Sequence, residues 1–242
     1  MLLDRYFHAI DELLQQVKET QRPGIVAAGK AIAAAVAAGG CIHFHDTGHI
    51  IDSELINRGG GLTLYRKLKY NLTVDNPVRP RDRSALDTSM AGLAAYALKA
   101  SGALPGDVLI LGSVSGRSLA VVDLALEAKK LGITNIVVTS MSYSTQVSSD
   151  HPSGKRLFEL GDIVLDNCAP AAEAMLEIPD QEARFAAASG ISASFILWSV
   201  TAVVIEEMLA LGLEPGILKS LNYPGGREFN TGVYQRYQEK GW

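Results

Sequence analysis

The stretch from Asp107 to Ser118, DVLILGSVSGRS, constrains this chain more than any other, because an apolar strand empties into a Ser/Gly loop that leads straight into a helix. Asp107 to Leu111 reads as a fully buried parallel strand, and Leu119, Val122, Leu124, Ala125, Leu126 and Ala128 give the next segment a helical apolar face. Between them Ser113, Ser115 and Ser118 set three hydroxyls beside the unpaired amides of a helix N-terminus, where the macrodipole also favours an anion. Gly112 and Gly116 let the backbone turn tightly and approach a ligand. No G-x-x-x-x-G-K-[ST] occurs, so a triphosphate cradle is unsupported. The dinucleotide fingerprint fails as well: the glycine spacing is Gly112-x3-Gly116, and the strand Ile136 to Ser140 ends without the acidic residue that would hold a ribose. A phosphomonoester fits what remains; the competing reading is that the serines only cap the helix and shape a turn.

Strands alternate with helices along the rest of the chain, which implies an α/β fold with a parallel sheet of about five strands covered on both faces. Leu3, Tyr6, Phe7, Ile10, Leu13, Leu14 and Val17 predict an amphipathic first helix, and Pro23 opens a second, Ala-rich one ending at Gly39-Gly40. Cys41 to Phe44 reads as the first strand, followed by a helix from about Gly48 to Arg58, the triple glycine 59–61 and a short strand near Leu62 to Leu64. Asn71 to Ser84, with two prolines and three arginines, predicts a long exposed loop. Helices are expected at Asp87 to Ala100, near Gly154 to Leu160, at Ala186 to Leu211 and near Val233 to Lys240, with strands at Thr134 to Ser140 and Asp162 to Leu165. The 242 residues fit a single domain: N-terminal helices at 1–40, an α/β core at 41–211 and a C-terminal tail at 212–242.

A net charge of −4 carries no nucleic-acid footprint, and the longest apolar stretches are too short or too polar at their edges for membrane spans. Asp4, Asp11 and Glu12 interrupt the first segment, unlike a secretory leader, and the two cysteines, Cys41 and Cys168, read as buried thiols in a reducing cytoplasm. No nucleic-acid or membrane partner is expected.

The pattern S-x-S-G-x-[ST] at Ser113 to Ser118, between a D-V-L-I strand and an A-K-x-x-G step into the strand IVVTS, resembles the sugar isomerase (SIS) domain family. Glu54-Leu55 with Arg58 and Gly59-Gly60-Gly61, HPSGKRLFELGDIVLDNCAP at 151–170 and GGREFN at 225–230 look like the stand-alone single-SIS proteins commonly labelled uncharacterised or phosphoheptose isomerase-like. The resemblance implies a single SIS-type domain that binds a phosphorylated sugar, as a homodimer or higher homo-oligomer whose sites a neighbouring subunit completes. It implies an aldose-ketose isomerase of a sugar phosphate or amino-sugar phosphate, working without a cofactor. The alternatives are a noncatalytic phosphosugar-sensing regulatory protein, or an etherase-like lyase on a muramic acid phosphate, because one fold serves several chemistries.

Within that reading Ser113, Ser115, Gly116 and Ser118 hold phosphate. Glu54 is the base, since E-L-x-x-R resembles the phosphoheptose isomerase helix with its catalytic glutamate; against it, Glu54 and Arg58 are also spaced as a simple i,i+4 ion pair. Ring opening needs a partner of pKa near neutral, for which His151, His49 and His45 lie in loops or strand ends close to the expected site. His43, His45 and His49 invite a zinc reading, yet the position where metal-dependent relatives carry a histidine one turn before the glutamate is Ile50, so no metal is expected. Arg79, Arg81 and Arg83 could close over a phosphate, and Ser189, Ser192 and Ser194 could line the sugar pocket.

Overall fold

The computed structural model describes residues 1–48, 52–86 and 89–242. Five strands, β1 (Ile42–Asp46), β2 (Tyr65–Lys67), β3 (Val108–Gly112), β4 (Thr134–Thr139) and β5 (Ile163–Asp166), form an all-parallel sheet in the order β2-β1-β3-β4-β5. Residues of alternating parity feed two cores. Ile42, Phe44, Val108, Ile110, Ile136, Val138 and Leu165 pack under α1 (Leu2–Ala37) and α5 (Ser189–Ala210), while Leu109, Leu111 and Val137 pack under α2 (Leu93–Ser101) and α3 (Leu119–Leu131). A short α4 (Met141–Ser144) follows β4, and α6 (Gly226–Lys240) closes the chain.

The two expected N-terminal helices are one helix of 36 residues with Pro23 inside it. Proline removes a hydrogen bond and crowds the carbonyl four residues back, but Pro23 and Glu19 both lie on the exposed side. On the other side Leu13, Val17, Ile25, Ala28 and Ile32 keep one continuous buried stripe against the protein. Contact with α5 is close enough that a Cβ on Gly29 would fall 2.5 Å from Val203 Cβ. Burial against α5 thus overrides the local break. The 22-residue α5 is long and apolar enough to cross a membrane by length and composition; here Ile196, Leu197, Val200, Val204 and Met208 of that helix are buried in the core.

Other elements shift. In place of a helix over 48–58, the described residues hold a single 3₁₀ turn, Asp52–Glu54, and turns to Arg58. The segment Leu62 to Leu64 precedes β2 and makes one bridge to Ile217. The helix expected from Asp87 starts at Leu93, Asp87 and Thr88 lying outside the described residues, and the one near Gly154 to Leu160 is a 3₁₀ turn, Leu157–Leu160. Two strands without a sequence signal, β6 (Ala174–Leu176) and β7 (Phe185–Ala187), pair antiparallel. Cys41, expected buried, is exposed, because it precedes β1 at the sheet's amino-terminal edge; Cys168 is half-buried.

Candidate functional site: the serine loop and its surroundings

With all five strands of the main sheet parallel, the segments after β1, β3, β4 and β5 emerge along one end of it, where ligands of open α/β sheets bind. The serine loop lies at the centre of that edge with its carbonyls held by neighbours. Thr47 donates through its amide and its hydroxyl (2.9 Å) to Gly112 O; Thr139 donates to Val114 O (3.0 Å), Ser144 to Ser115 O (2.9 Å), and the amides of Leu157 and Asp150 donate to Gly116 O (2.8 Å) and Arg117 O (2.9 Å). The buried Ser113 hydroxyl accepts from the Gly116 amide (3.3 Å) and keeps its own proton to donate.

Gly116 has φ +59°, and a Cβ there would meet Leu157 Cβ at 3.0 Å and Ser144 Oγ at 3.1 Å, so conformation and space both demand glycine. Ser118 is the N-cap of α3 yet makes no capping bond with its side chain. The hydroxyls of Ser115 and Ser118, both half-buried, have no hydrogen bond among the described residues. Free hydroxyls and the unpaired first-turn amides of α3 are what a phosphate oxygen needs.

Next to the loop is a second polar group that the sequence reading missed. Asp123, 4% exposed on α3, accepts from the amides of Gly92 (2.8 Å) and Ala94 (3.0 Å), capping α2 with a carboxylate from another helix. His151 Nδ1 accepts from the Ser153 amide (3.0 Å), which puts the proton of the neutral ring on Nε2. That buried Nε2 stands 3.5 Å from Asp123 Oδ1, outside hydrogen-bond geometry. Burial, and then the Asp123 charge, push the Tyr70 hydroxyl pKa up, and Tyr70 stacks on His45 with ring centroids 5.8 Å apart. His45 Nδ1 donates to Leu68 O (3.0 Å). A charged residue inside the apolar run VVDLALEA was the available signal for Asp123.

Glu54 ends the 3₁₀ turn and pairs through Oε2 with Arg58, both side chains being substantially exposed; among the described residues no bond joins it to the serine loop. Two residues before it, buried Asp52 has Lys67 Nζ at 2.5 Å as an ion-pair partner. His49 lies outside the described residues. His43 is held at the opposite end of the sheet, Nε2 2.9 Å from Asp107 Oδ2, which also accepts from the Leu104 amide. Among the described residues no three His, Cys, Asp or Glu side chains converge on one point. Arg79, Arg81 and Arg83 are exposed in a segment without regular structure. Ser189 donates to Glu173 (2.8 Å) and Ser192 to Ala188 O (3.1 Å), both buried at the start of α5; Ser194 is half-buried.

Comparison with known proteins agrees with this architecture. A SIS domain model matches residues 5–140. A UPF0309 protein from Streptomyces griseus is 35% identical over 241 residues, 99% of this chain and 96% of the relative, and one from Shouchella clausii is 30% identical over 240 residues, 98% and 97%. Among solved structures, phosphoheptose isomerases from Francisella tularensis (TM-score 0.53, 17% identity, 84% of this chain and 96% of that one) and Neisseria gonorrhoeae (0.53, 18%, 86% and 98%) share the fold. The sequence match spans nearly the full length of both relatives and the domain match covers more than half of the chain, so this protein belongs to the UPF0309 family of SIS-domain proteins.

Proposed function

We propose that the chain binds the phosphate of a sugar phosphate or amino-sugar phosphate at Ser113, Ser115, Gly116 and Ser118, and interconverts its aldose and ketose forms. The observation that carries the reading is the pair of unpartnered hydroxyls, Ser115 and Ser118, beside an uncapped helix start whose loop carbonyls at Val114, Ser115, Gly116 and Arg117 are turned to other partners. A loop that served only as a turn would spend those hydroxyls on its own amides.

In this reading Glu54 removes the proton next to the carbonyl and returns it to the adjacent carbon, the two oxygens of the intermediate enediol exchanging one proton meanwhile. No oxidant enters, because one carbon of the substrate is oxidised as its neighbour is reduced. Glu54 Oε2 is held by Arg58, and Oε1 is the atom left to act. His151 opens the ring: its buried Nε2, without a hydrogen bond, is an atom that a sugar hydroxyl would satisfy. His49 is a second candidate for the same step. The assembly proposed is a cytoplasmic homodimer or larger homo-oligomer joined through α5 or through the apolar side of the N-terminal helix α1, where Leu3 and Phe7 are more than half exposed.

The test is a thermal-shift screen against sugar phosphates, followed by solvent-deuterium exchange at the carbon next to the carbonyl. Glu54→Gln keeps size and hydrogen bonding, and should retain binding while losing exchange by roughly 100-fold, the scale of a general base. Exchange near the wild-type rate would reduce Glu54 to an ion-pair partner of Arg58. Binding without exchange in the wild-type protein would favour a sensor, and loss of lactate from a muramic acid phosphate would favour a lyase.

A further inference from the structure

The glycine turn 59–61 and the GGREFN segment, far apart in sequence, build a second feature away from the serine loop. Gly60 donates to Leu218 O (2.8 Å) and Leu218 to Gly61 O (2.9 Å), so the turn before β2 runs against 218–221. A Cβ on Gly59 would lie 2.9 Å from Ser220 N, and one on Gly226 would lie 2.1 Å from Ser220 O; glycine is therefore required on both sides of that strip. Asn230, 4% exposed, accepts from the Lys219 amide and donates to the Lys219 carbonyl, both at 2.8 Å. Tyr234 completes the frame by donating to Asn57 Oδ1 at 3.1 Å.

These contacts wall a cleft of about 470 Å³ whose lining includes Asn57, Arg58, Lys219, Ser220, Asn222 and Tyr234. That volume takes a ligand of metabolite size. Its charge is one-sided. Lys219 stands over the Phe229 ring, 4.1 Å from Nζ to the centroid, with no carboxylate partner among the described residues, and Arg58 has only the half-exposed Glu54. Two cations and a ring of amide and hydroxyl groups with no carboxylate in the lining suit a small anion that also accepts several hydrogen bonds.

We propose that this cleft is a second anion site, taking a small phosphate- or carboxylate-bearing metabolite between Arg58 and Lys219. It shares no residue with the serine loop, so its occupancy can be read with that loop closed, while Arg58, the ion-pair partner of Glu54, links it to the proposed catalytic carboxylate. Asn230 fixes the Lys219 backbone and so aims its ammonium, while the glycines keep the facing wall close.

The experiment uses the full chain carrying Ser115→Leu, which closes the serine loop, and follows backbone amide shifts on titration with inorganic phosphate and, separately, citrate. The expected result is saturable movement of the amides of 57–59 and 218–222 with at least one probe, the more effective probe naming the anion class. Adding Lys219→Gln should then weaken that binding at least tenfold with an unchanged melting temperature, since the Lys219 side chain is exposed. No movement of these amides at millimolar concentrations of either probe, or equal affinity with and without Lys219, would overturn the site.

Discussion

Two helices begin side by side at the ligand edge of the sheet, and they are finished in opposite ways. The start of α2 is filled from inside the protein: a buried carboxylate, Asp123, takes the amides of Gly92 and Ala94. The start of α3 has Ser118 at its cap with the hydroxyl unused, and a loop whose carbonyls are already engaged. An unsatisfied helix start costs stability unless water or a ligand supplies the acceptor. The contrast supports the proposed place of the phosphate: a carboxylate of the protein fills the start of α2, whereas the Ser118 hydroxyl at the start of α3 makes no capping bond.

The largest effect that would break the comparison is expected at Gly116. Gly116→Val forces a β-branched residue into φ +59° against Leu157 and Ser144 and should cost about 2–3 kcal/mol in urea denaturation, with loss of any sugar-phosphate thermal shift. Unchanged ligand stabilisation would show that the loop does not shape the site. Next come the two caps taken together. Asp123→Ala strands two amides and should cost about 1.5–3 kcal/mol of stability while leaving inorganic phosphate affinity within a factor of about two. Ser118→Ala should do the reverse, changing stability by less than about 0.5 kcal/mol and weakening phosphate roughly fivefold. Swapped outcomes would mean that α2, not α3, is the anion-binding start.

The smallest effect comes from a third start. At the 3₁₀ turn Leu157–Leu160, Glu159 accepts from the Arg156 amide at 2.9 Å, and that backbone bond, with the Arg156 side chain next, holds its carboxyl below the usual carboxylate range. Because the folded pKa is the lower one, the contribution is complete above the unfolded value of about 4.3 and disappears as pH falls through the folded value. Glu159→Gln should therefore lower stability slightly at pH 7 and flatten the acid limb of a pH-stability curve; parallel curves for the two proteins would show that this terminus is not held by its own carboxylate.

What could be read from the chain follows from how local the cause is. The serine loop was legible because hydroxyls, glycines and a buried strand are adjacent in sequence, and the parallel sheet because apolar runs alternate with helical periodicity. The unbroken α1 was not, since Pro23 lies on its exposed side while Val17, Ile25, Ala28 and Ile32 on the other side stay buried in the core with α5. The role of Asp123 was hidden because its partners, Gly92 and Ala94, lie about thirty residues upstream, and the cleft at Lys219 needs segments 160 residues apart. For Glu54 the helical resemblance placed a carboxylate on a regular face, whereas a 3₁₀ turn sets it beside Arg58.

Whether the start of α3 takes the phosphate is decided by mapping backbone amide shifts as the tightest-binding sugar phosphate from the screen is titrated into the wild-type chain. The largest shifts should fall on residues 115–121, the loop and first turn of α3, while the amides of Gly92 and Ala94 stay fixed on Asp123. Saturable binding that leaves residues 115–121 unmoved would contradict it.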